Sequence, residues 1–155
     1  MTKFTSRHNF IIYADGACAP TNPGPCSWGC VIFNPDGLKS EHHGFIGYGT
    51  NQVSELSAAI EGLSRIPVGE CVELFTDSQY VVKGLTEWRS GWEQRNFRNM
   101  KGALISNLRF WQQLFELVDA RQTSVYWVKG HAGDPNNERA DELAVIALKR
   151  QSWLV

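Results

Sequence analysis

An α/β fold, of the α+β kind with a mixed sheet and helices packed on it, is predicted by two patterns in this chain. Three strand-like segments separated by turn residues come first, and a strand–helix alternation follows. An antiparallel meander leading into alternation argues for a mixed sheet covered by helices. Residues 10–14 (FIIYA) form a short apolar run bounded by polar residues, as in a strand buried on both faces. Gly16 to Pro25, rich in proline, reads as loop. Strands follow at about 28–34 and 43–48, with Asn34-Pro35-Asp36-Gly37 as the turn between them. From Asn51 the period becomes helical, with Leu56, Ala59, Ile60 and Leu63 on one face and Pro67 and Gly69 closing the segment. Residues 71–76 return to strand. Ser78–Leu85 and Glu87–Asn96 read as short helices, and 103–119 as a long one with Leu104, Leu108, Trp111, Phe115 and Val118 in a stripe. Thr123–Val128 is β-rich. The last helix starts near Asp134-Pro135, a cap followed by proline at the first helical position.

No repeat, low-complexity tract or linker divides residues 1–155, so one domain is expected, and that length buries a core without disulfide staples. The apolar fraction of 43% and charged fraction of 20% are those of a globular protein. The N-terminus lacks an apolar stretch, and no apolar run reaches the roughly 18 residues of a membrane span, so a cytoplasmic, non-membrane protein is expected. In that setting Cys18, Cys26, Cys30 and Cys71 stay reduced, and their spacing does not suit a zinc site. Net charge is −1, which offers a polyanion no global attraction. Locally, Lys83 to Arg109 holds six basic residues against two acidic ones, and nucleic-acid binding depends on such a patch.

Four acids carry the chemistry. Asp15 ends the first strand, Asp77 ends the fourth, Glu55 lies in the first turn of its helix and Asp141 about two turns into the last one. If strands one and four are parallel neighbours, Asp15 and Asp77 emerge at one carboxyl edge, where open α/β sheets place ligands. Like charges gathered closely raise the cost of ionising one another, and a hard divalent cation such as Mg²⁺ is the natural neutraliser of an oxygen-only cluster. Each acid also has a plainer role open to it: Asp77 as a helix cap, Asp15-Gly16 as a turn, Glu55 facing a helix dipole, Asp141 as a solvated residue.

Four blocks decide between these roles. The segments YADGACAPTNPGP, TNQVSELSAAIEGL, LFTDSQYVVKGL and WVKGHAGDPNNERADELA, in that order over about residues 10–148, resemble type 1 ribonuclease H. The resemblance implies a five-stranded mixed sheet of order 3-2-1-4-5 with helices on both faces, and cleavage of the RNA strand of RNA/DNA hybrids to 5′-phosphate and 3′-hydroxyl ends. It implies Asp15, Glu55, Asp77 and Asp141 as metal ligands for two Mg²⁺ ions, with Mn²⁺ a possible substitute. Asp15 would bridge both ions. It further implies that His131 assists proton transfer or product release. Asn22, Asn51, Gln52 and Gln79 would line the minor groove, where amides can read 2′-hydroxyls. Thr50 and Asn107 would grip a DNA-strand phosphate. Trp88, Trp92, Arg95, Phe97 and Arg98 would belong to a basic, aromatic substrate handle. The chain departs from the family at Val53-Ser54 before the glutamate, at Cys26-Ser27, at Tyr48 where an arginine is frequent, and at Glu93 in the handle. Two other functions compete: a hybrid-binding module without catalysis, which would have lost an acid, and another nuclease of this fold such as a junction resolvase. A monomer is expected.

Overall fold

The computed structural model describes residues 9–130 and 133–152. The elements, in chain order, are β1 (Phe10–Cys18), β2 (Gly24–Phe33), β3 (Lys39–Gly49), α1 (Asn51–Ser64), β4 (Cys71–Thr76), α2 (Gln79–Lys83), a π-helical turn (Gly84–Trp88), α3 (Arg89–Gln94), α4 (Leu108–Asp119), β5 (Gln122–Trp127) and α5 (Pro135–Ser152). The sheet order is β3-β2-β1-β4-β5, with β1–β2 and β2–β3 antiparallel and β1–β4 and β4–β5 parallel. This is the architecture the resemblance implied.

Side-chain alternation along β1 and β2 divides the molecule into two layers. Ile12, Ala14, Cys30 and Ile32 face α1 and α4, whose Leu56, Ala59, Leu63, Trp111 and Leu114 complete the main core. Tyr13 and Val31 face the other way, toward Ala140 and Leu143 of α5. Helix α5 lies close to the sheet because β2 has glycine beneath it: a Cβ on Gly29 would stand 2.5 Å from the Ala140 carbonyl oxygen. A buried aliphatic or aromatic side chain contributes about 1.5–3 kcal/mol, so the fully buried Trp111, Leu56, Leu63 and Leu74 anchor α4 and α1 firmly to the sheet.

Three sequence expectations fail here. The first hairpin is longer than the proline-rich composition suggested. Pairing runs from Ile11↔Phe33 to Cys18↔Cys26, so only residues 19–23 form the loop, and Asp15 lies within β1 and not at its end. The strand continues because the ladder to β2 supplies partners after the ladder to β4 stops at Ala14↔Thr76. The long helix begins at Leu108, not near 103. Asn107 takes a left-handed conformation (φ 61°), and residues 97–105 form a tight reversal closed by Ile105 N–H to the Phe97 carbonyl (2.9 Å) and Asn99 N–H to the Ala103 carbonyl (2.7 Å). The short helices after β4 form one run, α2 to α3, carried through the π-helical turn.

Candidate active site

The end of the parallel β1–β4 ladder fixes the position of two carboxylates. Its last pair is Ala14↔Thr76, so Asp15 and Asp77 are each the next residue on adjacent parallel strands. Helix α1 supplies the third. Thr50 caps it, its Oγ1 accepting from Val53 N–H, and Glu55 lies one turn further in, rather than in the first turn as the sequence suggested. The Glu55 carboxylate reaches back to β1, where its Oε1 accepts from Gly16 N–H at 2.7 Å. One oxygen each from Asp15, Glu55 and Asp77 lie within 4.8 Å of one another.

Three of the four plainer roles fall away on this geometry, those of Asp15, Glu55 and Asp77. Ser78, not Asp77, caps α2, its Oγ accepting from Val81 N–H. Asp15-Gly16 is strand, not turn. Glu55 spends Oε1 on Gly16 and leaves Oε2 buried without a hydrogen-bond partner, an arrangement that costs about 1–3 kcal/mol unless something else satisfies it.

Electrostatics point the same way. Burial raises the Asp15 carboxyl far above its usual range, and the charge and hydrogen bond of Glu55, then the charges of Asp77 and Asp141, raise it further. Burial also raises Glu55, against the hydrogen bonds it receives from Asp15 and Gly16. Without a cation the pair holds a proton at neutral pH. Three carboxylates with one orphaned oxygen and no nitrogen or sulfur donor fit a hard divalent cation. Asp141 stands outside this tight group: it acts on Asp15 and Glu55 through charge and lines an apolar cleft of about 790 Å³ with Pro20, Phe45, Asn51 and Leu148. The structure therefore brings three of the four expected acids into one cluster and sets the fourth beside it.

A family model described as RNase H matches residues 7–149 of this sequence. The chain belongs to the ribonuclease H family. It is 45% identical over 134 residues to Ribonuclease H of Marinobacter nauticus, covering 86% of this chain and 90% of that one. It is 46% identical over 136 residues to Ribonuclease H of Methylorubrum extorquens, of which it spans 58% of the length. Among solved structures, the crystal structure of LC9-RNase H1, a type 1 enzyme with the type 2 active-site motif, superposes with a TM-score of 0.81 at 29% identity, covering 96% of this chain and 76% of that one. Ribonucleases H of this family are metal-dependent endoribonucleases.

The remaining expected ribonuclease H residues fall into three groups. Asn22, Thr50, Asn51 and Gln52 gather at the β3–α1 junction, tied by Asn51 N–H to the Asn22 Oδ1 (3.0 Å). Gln52 joins Asn107, whose Nδ2 donates to Gln52 Oε1 (3.4 Å) and to the Tyr80 hydroxyl (3.1 Å). Gln79 is exposed at the start of α2. The handle divides. Trp88 is partly exposed, whereas Trp92 and Phe97 pack against the core, Trp92 tilted on Trp111 at 5.1 Å. Arg95 Nε and Arg98 Nη1 donate to the carbonyls of Arg98 and Gly102, holding the 97–105 reversal. His131 lies outside the described residues.

Two features of the site escaped the sequence. Tyr80 accepts from both Asn107 Nδ2 and Trp111 Nε1 (3.0 Å), which locks the phosphate-pocket candidate Asn107 to the core. Gly130 lies against the site: a Cβ there would stand 2.8 Å from Asp77 Oδ2. Glycine at that position keeps space beside a catalytic candidate. The YVV and KGH segments held no signal for either contact.

Proposed function

We propose that this protein hydrolyses the RNA strand of RNA/DNA hybrids at the Asp15–Glu55–Asp77 edge, with divalent cations held there. The observation that carries the reading is the close carboxylate triad with the buried, unpartnered Glu55 Oε2. Asp15 is central to the group, feeling the charges of Glu55, Asp77 and, from α5, Asp141. Two Mg²⁺ ions fit the proposal, Mn²⁺ substituting. Divalent cations at such a site lower the pKa of a bound water and neutralise charge on the phosphate.

The chain's own residues do the positioning. The Gly16 N–H fixes one Glu55 oxygen and leaves the other buried and unpartnered. Gln52 and Asn51 offer amides that can donate to and accept from 2′-hydroxyls, which is what distinguishes the RNA strand. Thr50 and Asn107 border a pocket for a DNA-strand phosphate, and Trp88 with Arg95 and Arg98 carries the flanking duplex. His131 assists proton transfer or product release. Products are a 5′-phosphate and a 3′-hydroxyl. The enzyme works as a monomeric single domain over residues 1–155, in the cytoplasm. Among the described residues no helix is long and apolar enough to cross a membrane.

Incubation of the protein with end-labelled RNA/DNA hybrid, duplex DNA and single-stranded RNA in Mg²⁺ tests the reading. Cutting confined to the RNA strand of the hybrid, and lost in Asp77→Asn, is expected. Cutting of a branched duplex DNA substrate, or binding of hybrid without cutting, would reject it.

A further inference from the structure

Cys18 and Cys26 are directly opposed across the β1–β2 hairpin, the last pair of its ladder. No other pair of cysteines in this chain is opposed: Cys30 faces Ala14 and His42, and Cys71 faces Gln122. Both thiols are free. Opposed antiparallel residues have Cα atoms about 4.5–5.5 Å apart, inside the range of about 4.4–6.8 Å that a disulfide spans. Both side chains leave the same face of the sheet, toward the start of α1. The β2–β3 register shifts between Cys26 and Ser27, so an irregularity adjoins the pair.

The two thiols share one structural task. Cys18 Sγ donates toward the Thr21 carbonyl (3.2 Å) and lies 3.7 Å from the Gly49 carbonyl. Cys26 Sγ lies 3.4 Å from the Gly24 carbonyl and 3.5 Å from that of Thr50. Each thiol thus reaches one carbonyl of the 19–24 turn and one of the β3–α1 junction. Cys18 Sγ also approaches Asn22 Oδ1 (3.9 Å), the atom that accepts from Asn51 N–H. The seam beneath Asn22, Thr50 and Asn51 is closed by sulfur donors.

We infer that Cys18 and Cys26 form a reversible oxidation site, whose disulfide loosens the Asn22–Thr50–Asn51 edge and weakens hybrid binding. The functional half of this inference rests on the reading proposed above. Cys18 is half-buried and meets the oxidant, while Cys26 is fully buried. The Cys18 thiolate attacks the O–O bond of a hydroperoxide, giving a sulfenic acid and an alcohol or water. Cys26 Sγ then attacks Cys18 Sγ, forming the S–S bond, and the departing hydroxide takes the Cys26 proton and leaves as water. Two thiols lose two electrons and two protons, and the peroxide is reduced. Burial, and then the neighbouring Cys18, push the Cys26 thiol up to about 12, so Cys26 is protonated while the pair is reduced, and both cysteines are free in the structure. Oxidation deletes both S–H donors at once, so neither sulfur can any longer donate to a carbonyl of the hairpin turn or of the β3–α1 junction.

The test treats the full-length protein with hydrogen peroxide and examines it by intact mass, non-reducing peptide mapping and hybrid cleavage. The mass should fall by two hydrogens, with Cys18 and Cys26 in one linked peptide pair. KM for the hybrid should rise about five- to tenfold, the scale of losing one or two hydrogen bonds, with a smaller change in kcat and recovery in dithiothreitol. Cys26→Ser keeps a donor but cannot form the link, so peroxide should leave its KM unchanged. Cys18 over-oxidised or joined between molecules without the internal link would overturn the proposal, as would a link that leaves KM unaltered. Failure of the nuclease reading would show separately, as reduced protein that does not cut hybrid before any peroxide is added.

Discussion

Replacing Asp15 by asparagine should make the cation-free protein more stable while abolishing its activity. At an effective dielectric of 20, two ionised carboxylate oxygens no more than 4.8 Å apart repel by about 3.5 kcal/mol or more. The folded protein avoids this by keeping a proton on the Asp15–Glu55 pair, while in the unfolded chain Asp15 titrates near its ordinary 3.8. A carboxyl raised in the folded state contributes stability that is complete below the unfolded value and lost as pH climbs toward the folded one. Across that window the loss is about 1.4 kcal/mol per pH unit. Asparagine, which carries no proton to retain and no charge to repel, escapes it. The expected gain over wild type is about 4 kcal/mol at pH 7, falling to about 1.5 kcal/mol at pH 5. Urea unfolding in EDTA at the two pH values measures it. Mg²⁺ should then raise the stability of wild type and leave Asp15→Asn almost unmoved, since only the intact cluster binds the ion. An Asp15→Asn protein no more stable than wild type at pH 7, or a gain independent of pH, would refute the reasoning.

Three further outcomes follow from the contacts. Gly130→Ala pushes a methyl group against Asp77 Oδ2 and should lower kcat about tenfold or more while thermal melting changes little; steady-state kinetics beside calorimetry separate the two. Tyr80→Phe strands Trp111 Nε1 and takes from Asn107 Nδ2 one of its two acceptors, so it should cost about 1–3 kcal/mol in chemical denaturation and raise KM for the hybrid. Arg95→Ala with Arg98→Ala removes two handle cations, which should weaken binding and flatten the plot of log affinity against log salt by about one to two units, read by fluorescence anisotropy across a salt series.

The parts of the fold that were legible in the sequence are those where local pattern and tertiary packing agree. The apolar run of β4, the face of α1 and the Asp134-Pro135 start of α5 lie where periodicity and caps put them. The errors share a cause: long-range partners overrode local composition. Gly16 to Cys18 looked like loop until β2 offered a ladder beyond the end of β4. Residues 103–107 looked helical, yet Asn107 adopts a left-handed turn that pairs its amide with Gln52 and Tyr80 from two other elements. The carboxylates were recognisable from their blocks. Their different standing was not: Asp15, Glu55 and Asp77 are fixed by the ladder end and by Gly16, whereas Asp141 depends on how closely α5 settles over Gly29. Cys18 and Cys26 are eight residues apart in sequence, and only the hairpin register makes them partners.

An anomalous difference map from crystals soaked in Mn²⁺ tests the cation site most directly. Density within coordination distance of Asp15, Glu55 Oε2 and Asp77 is expected, and none there in Asp15→Asn crystals. A wild-type map with no peak among these three carboxylates, at Mn²⁺ concentrations that support cleavage of the hybrid, would contradict the account.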